Sequence, residues 1–120
     1  MDILIKNADQ VGIVVADLDK FLQNMKDILG LDGFEVMEYP PDDIEPETTY
    51  HEQPAEFKLR MAFKDFDKFQ LEVIQPLEGQ SVFKDYLEEN GPGLHHIRFT
   101  QPNFDEASQS LADKGIPCIA

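Results

Sequence analysis

A single cysteine, few cations and no long apolar run are what this chain of 120 residues has least of. Cys118 alone cannot close an intrachain disulfide, which removes covalent stapling from the fold and suits a reducing compartment. Only 10 Lys and Arg stand against 24 Asp and Glu, a formal charge of −14, and the cations form no cluster in sequence. A phosphate backbone demands a basic stripe, so nucleic acid is set aside as a partner and the acidity reads as solubility. No stretch is apolar for long enough to span a bilayer. The opening MDILIKNAD lacks the basic start and apolar centre of a secretory signal. The expectation from these absences is one cytoplasmic globular domain with a normal apolar core.

What is present begins with a pattern used twice. Residues 9–21 read DQVGIVVADLDKF, and residues 95–107 read HHIRFTQPNFDEA. Laying Gln10 on His96 puts Val11 on Ile97, Ile13 on Phe99, Leu18 on Phe104 and Asp19 on Asp105. Each copy is a β-like run, a turn and an amphipathic stretch, which is one supersecondary unit repeated. Gln10 and His96 thereby become structural equivalents, and one site can be built from such symmetric positions.

Along the chain, QVGIVV at 10–15 is β-branched and predicts a strand. Asp17 can cap a helix in which Leu18, Phe21, Met25, Ile28 and Leu29 fall at helical spacing and which Gly30 can end. A short strand is expected at 33–38. The run YPPDDIEPETTYHEQP, with four prolines and many acids, predicts no regular strand or helix over 39–54 and reads as a lid or connector. His51 within it reads as exposed. FKLRMAF at 57–63 and FQLEVI at 69–74 predict a hairpin that Pro76 stops. Ser81 opens a short helix, GPGLHHIRFT carries a turn and a strand, a helix covers about 104–114, and IPCIA begins a further strand with Cys118 packed. The first part therefore reads β-α-β-β-β and the second β-α-β. The expectation is that a longer chain, or a partner chain, completes the second sheet.

Neighbouring residues of a strand point to opposite faces. If one phase packs the helices, the other collects Gln10, Lys58, Arg60, Gln70, Glu72, His96 and Arg98. Such a face is either solvated or a site. By the same rule His95 and His96 point apart, and only one of them can enter a site. Arg60 and Arg98 either orient an anion or neutralise an acidic protein.

The arrangement resembles the vicinal oxygen chelate superfamily, which includes glyoxalase I, methylmalonyl-CoA epimerase, extradiol dioxygenases and bleomycin-resistance proteins. The similarity is strongest over FQLEVIQPLEGQSVFKDYLEENGPGLHHIRF at 69–99 and DQVGIVVADLDK at 9–20, and it points to the epimerase and glyoxalase-like branch. The resemblance implies an α+β fold of paired β-α-β-β-β modules whose strands curve into a cup. The modules would be 1–76 and 93–120, with 77–92 as a linker carrying a short helix and the second module incomplete in this chain. It implies a divalent metal (zinc, nickel, cobalt or manganese) held by Gln10, Glu72 and His96, with a fourth ligand falling beyond Ala120. Two departures stand out: Gln10 replaces the usual histidine, and no carboxylate lies between Phe57 and Phe63, where the epimerase branch places its base. The function implied is a metal-dependent isomerase or lyase acting on a small thioester or hemithioacetal through an enediolate. Glu72, or the distal Glu falling beyond Ala120, would be the general base, and Lys58, Arg60 and Arg98 would bind an anionic acyl group. A homodimer without nucleic-acid or membrane partners is expected. The alternative is a non-enzymatic small-molecule binder of the bleomycin-resistance type.

Overall fold

The computed structural model describes residues 7–40, 49–50, 53–54, 56–100 and 102–116. In chain order these are β1 (Asn7–Val14), α1 (Leu18–Leu29), β2 (Glu35–Tyr39), β3 (Thr49–Tyr50), β4 (Gln53–Pro54), β5 (Lys58–Asp65), β6 (Gln70–Glu78), α2 (Val82–Asn90), β7 (Gly93–Thr100) and α3 (Phe104–Asp113). The fold is α+β, as the sequence predicts. Five strands form one sheet in the order β2-β5-β6-β1-β7, and β3 and β4 form a separate two-stranded ladder.

Each helix begins at a capping side chain, and for α1 and α2 it is the one the sequence offers. Asp17 accepts from the backbone N–H of Lys20, Ser81 from Lys84 and Asn103 from Glu106. Gly30 ends α1 in the left-handed conformation at φ 65°, a region where a Cβ is disfavoured. A further α1 donor, the N–H of Leu18, is met from the sheet by Gln75 Oε1 at 2.9 Å.

The sheet buries both faces. On one, α1 packs Leu18, Phe21 and Leu22 onto Val15, Ala62 and Val73. On the other, Leu59, Met61 and Ile74 gather with Tyr39, Phe57, Phe63 and Phe83, the last from α2. The β5–β6 hairpin turns through Phe66–Phe69, closed by the Phe66 N–H bonding the Phe69 carbonyl at 2.8 Å. That tight turn sets Phe63 opposite Glu72, Met61 opposite Ile74 and Ala62 opposite Val73. Loop length decides register, and a one-residue slip would exchange the two faces.

Three expectations need correction. The stretch 39–54 does hold regular structure, because Thr49–Tyr50 pairs with Gln53–Pro54 and Tyr39 closes β2; residues 41–48 and His51 lie outside the described set. Pro76 does not stop β6, which runs on to Glu78. Past Ile74 that strand pairs only with β5, and a missing N–H is tolerated where one neighbour is absent. Third, the apolar phase of β5 faces away from α1, while Arg60, Ala62 and Lys64 occupy the α1 side. The strand expected from Ile116 onward, and Cys118 with it, fall largely outside the described residues.

Candidate functional site

The repeat read in the sequence is a spatial symmetry. β1 and β7 are antiparallel neighbours, and Val11 pairs with Ile97, its own repeat mate. A local twofold therefore passes through that pair. Gln10 then lies opposite Arg98 and Gly12 opposite His96, which brings the mates Gln10 and His96 side by side on one face. The third member comes from β6, which runs parallel to β1 with Gln10 beside Gln70 and Gly12 beside Glu72.

These placements converge. His96 Nε2 lies 3.1 Å from Gln10 Oε1 and 3.2 Å from Glu72 Oε1. Gln10 is buried, and the Glu72 side chain is 13% exposed against 28% for His96, so the cluster opens toward solvent on the imidazole side. Gly12 makes room for it: a Cβ at that position would overlap the His96 ring. The apolar wall of Leu59, Met61, Phe63 and Ile74 shares this face.

An amide oxygen, a carboxylate oxygen and an imidazole nitrogen are donor types that suit a divalent cation. Ligands about 2.1 Å from a metal stand about 3.0 Å apart at right angles and about 3.4 Å apart at tetrahedral angles. The two spacings at His96 Nε2 fall within that range. Among the described residues no three His, Cys, Asp or Glu side chains form a group that could hold a metal. The third donor here is the Gln10 amide oxygen, a neutral ligand that suits hard or borderline cations.

Two irregularities on the β1–β7 seam shape the surroundings. The register shifts between Ala8 and Gln10, leaving Asp9 as an extra residue, and again at Gly12/Ile13, leaving His95 as an extra residue. Asp9 and His95 are themselves repeat mates, so the bulges obey the twofold. The first turns the Asp9 carboxylate to accept from Arg98 Nε at 2.8 Å and Thr100 Oγ1 at 2.6 Å. These bonds hold the Asp9 carboxyl below its ordinary pKa. The second corrects the reading that His95 and His96 point apart: a bulge breaks the pleat, and their Nδ1 atoms meet at 2.9 Å. His95 is wedged against Phe83 and Tyr86 of α2, with ring centroids 4.9 and 5.2 Å away. Burial first and His96 second lower its pKa, against smaller opposing effects from Glu72 and the Val82 backbone.

The candidate residues thus divide. Gln10, Glu72 and His96 come together. Arg98 shares their face with its guanidinium bonded to Asp9. Arg60 lies on the opposite face, where Nη1 binds Asp19 of α1 at 2.7 Å. Lys58 sits 3.6 Å from Glu78, both exposed, at the far end of the hairpin. The expectation that Lys58 and Arg60 share the face of Glu72 is therefore corrected, for the register reason given above. Sequence reasoning set Gln70 on this face without giving it a role, kept at most one of His95 and His96 for the site, and passed over Asp65. Gln70 Oε1 accepts from Gln10 Nε2 at 2.8 Å, and Gln70 Nε2 donates to Asp65 Oδ1 at 3.0 Å. The signal for Gln70 was its alternation with Glu72.

A curled open sheet with polar donors from β1, β6 and β7 on one face defines a small α+β cup built around local twofold symmetry. Residues 9–120 match the profile of the Glyoxalase/Bleomycin resistance protein/Dioxygenase superfamily, and the chain belongs to that superfamily. The chain is similar to the uncharacterized protein YqjC of Bacillus subtilis (strain 168), at 29% identity over 111 residues covering 92% of this chain and 69% of that protein. Among solved structures it resembles the methylmalonyl-CoA epimerase of Mycobacterium tuberculosis, with TM-score 0.63, 25% identity, and 96% of this chain against 68% of that one. A variant of Streptomyces coelicolor methylmalonyl-CoA epimerase in complex with 2-nitronate-propionyl-CoA also shares the fold, with TM-score 0.63, 22% identity, and 93% and 72% coverage.

Proposed function

We propose that this chain is a metal-dependent isomerase or lyase of the glyoxalase and epimerase kind, acting next to the carbonyl of a small thioester or hemithioacetal. The observation that carries the reading is that Gln10 Oε1 and Glu72 Oε1 each lie at cation-ligand spacing from His96 Nε2, beside an apolar wall. Those three side chains would hold a divalent cation. When bound, such a cation supplies a Lewis acid that polarises a carbonyl and lowers the barrier to removing the adjacent proton. Leu59, Met61, Phe63 and Ile74 would shelter the acyl chain from water. No acid or base stands on that face of β5 between Leu59 and Phe63, so proton removal falls to Glu72 as general base. Arg98, its charge partly met by Asp9, would face an anionic acyl group at the rim. Arg60 drops out of this role because its partner is Asp19 on the other face. The epimerase bound to 2-nitronate-propionyl-CoA supports a coenzyme A thioester as the substrate class.

The test is a calorimetric titration of the chain with manganese, cobalt, nickel and zinc, followed by proton NMR of a short branched acyl-CoA in deuterium oxide. Metal-dependent deuterium uptake at the carbon beside the thioester carbonyl is expected. Absence of both cation binding and uptake would sink the proposal. The neutral Gln10 amide, in place of a stronger imidazole ligand, favours a second reading as a metal-free small-molecule binder. Ligand-induced thermal stabilisation that survives chelator, without exchange, would select it.

A further inference from the structure

We propose that Asp65 and Gln70 are positioning residues that decide which end of the Gln10 amide faces Glu72 and His96, an inference that rests on the cation-binding reading above. A glutamine amide carries an oxygen at one end and an NH2 group at the other, nearly equal in shape, so its hydrogen-bond partners decide the orientation. An ionised carboxylate only accepts. Asp65 Oδ1 lies 3.0 Å from the Gln70 amide, so Gln70 commits its nitrogen to that side. Its oxygen is thereby turned to β1, where it accepts from Gln10 Nε2 at 2.8 Å. Gln10 has spent its nitrogen on Gln70, and its oxygen is left 3.1 Å from His96 Nε2, the atom that also lies 3.2 Å from Glu72 Oε1.

The register makes this relay a straight line across three strands. Asp65 pairs with Gln70 at the hairpin end of β5 and β6, and Gln70 pairs with Gln10 of β1. A carboxylate on the exposed hairpin thus sets the polarity of a buried amide two strands away. Reversing the amides would set Gln70 Oε1 against the Asp65 carboxylate, two acceptors with no proton between them. It would also aim the Gln10 NH2 group at the cation position, where a donor cannot ligate. An amide at position 10 therefore needs this anchor to act as a ligand, whereas a carboxylate there would offer oxygen from either end.

A double-mutant cycle on the full chain tests the relay. Manganese affinity is measured by calorimetry for the parent, Asp65→Ala, Gln10→Glu and the double variant. Asp65→Ala is expected to weaken binding about tenfold in the parent background. In the Gln10→Glu background the same change should leave affinity within about twofold or tighten it. Equal loss in both backgrounds would overturn the proposal, because it would mean that Asp65 acts through its charge or through folding. Side-chain amide NMR of the metal-free chain gives a second readout. Nuclear Overhauser contacts should run from the Gln10 NH2 protons to Gln70 in the parent, and contacts to the His96 ring should strengthen in Asp65→Ala. Contacts to the His96 ring as strong in the parent as in Asp65→Ala would refute the relay. If the parent binds no cation, the cation-binding reading fails, and the NMR contacts still decide the amide orientation.

Discussion

At the scale of single residues, position 12 in the cup has no room for a side chain. A Cβ there would occupy the space of the His96 ring, so Gly12→Ala must displace either the ring or the strand. Overpacking of this kind costs about 1–3 kcal/mol, and urea denaturation should show it together with loss of cation binding. His96→Ala should abolish cation binding in calorimetry with little change in stability, since the side chain is partly exposed. His95 makes a pH prediction for the metal-free chain. Its folded pKa lies below the free value near 6.5, so the unfolded state takes up a proton first as pH falls. Its contribution to stability is complete above about pH 6.5 and is lost as pH falls through the folded pKa. His95→Phe should flatten that part of the stability profile, measured by denaturant melts between about pH 7 and 5. An unchanged slope would assign it to other groups.

At the scale of elements, the bulge in β7 and the turn between β5 and β6 decide what meets what. The bulge brings His95 behind His96, Nδ1 to Nδ1, and α2 holds it there through Phe83 and Tyr86. His95→Phe keeps a ring in that niche and removes the nitrogen contact. Calorimetry should then show cation affinity lowered about 10- to 100-fold, as expected when the outer partner of a ligating imidazole is lost. Strict strand alternation would leave affinity untouched. The turn matters equally, because Phe66 and Phe69 stack across it with centroids 5.0 Å apart and help hold the register that puts Phe63, and not Arg60, beside Glu72. On the other face, Leu18 of α1 is fully buried among Val15, Ala62 and Val73. Leu18→Ala should destabilise the chain by about 2–5 kcal/mol in urea melts.

At the scale of the whole molecule, one sheet separates two environments. The α1 side is a packed layer closed by the Arg60–Asp19 pair at its margin, and the other side combines an apolar wall with the Gln10–Glu72–His96 cluster. No helix among the described residues is long and apolar enough to cross a membrane. The formal charge of −14 spreads repulsion over a small chain. Raising sodium chloride from about 20 mM to about 300 mM should therefore increase the melting temperature, because screening relieves that repulsion. A melting temperature that falls with salt would show that attractive pairs such as Arg98–Asp9 outweigh it.

The sequence by itself determined the helix caps at Asp17 and Ser81, the order of the main strands, and the equivalence of Gln10 and His96. Each of these rests on local chemistry or on an internal repeat, and both are written in neighbouring residues. The shared face of Gln10, Glu72 and His96 also followed from alternation and the resemblance together. Tertiary structure alone decided the rest. Strand parity could not say which phase of FKLRMAF faces α1, since Leu59, Met61 and Phe63 on one side and Ala62 on the other both find apolar partners across the sheet. That choice belongs to the turn register, which then sends Arg60 to Asp19. Nor does alternation survive a bulge, and the one at His95 is visible only once β1 and β7 lie paired, with Gly12 opposite His96. The orientation of the Gln10 amide depends on a carboxylate 55 positions away in sequence, brought within one hydrogen-bonded relay only when β5, β6 and β1 lie side by side.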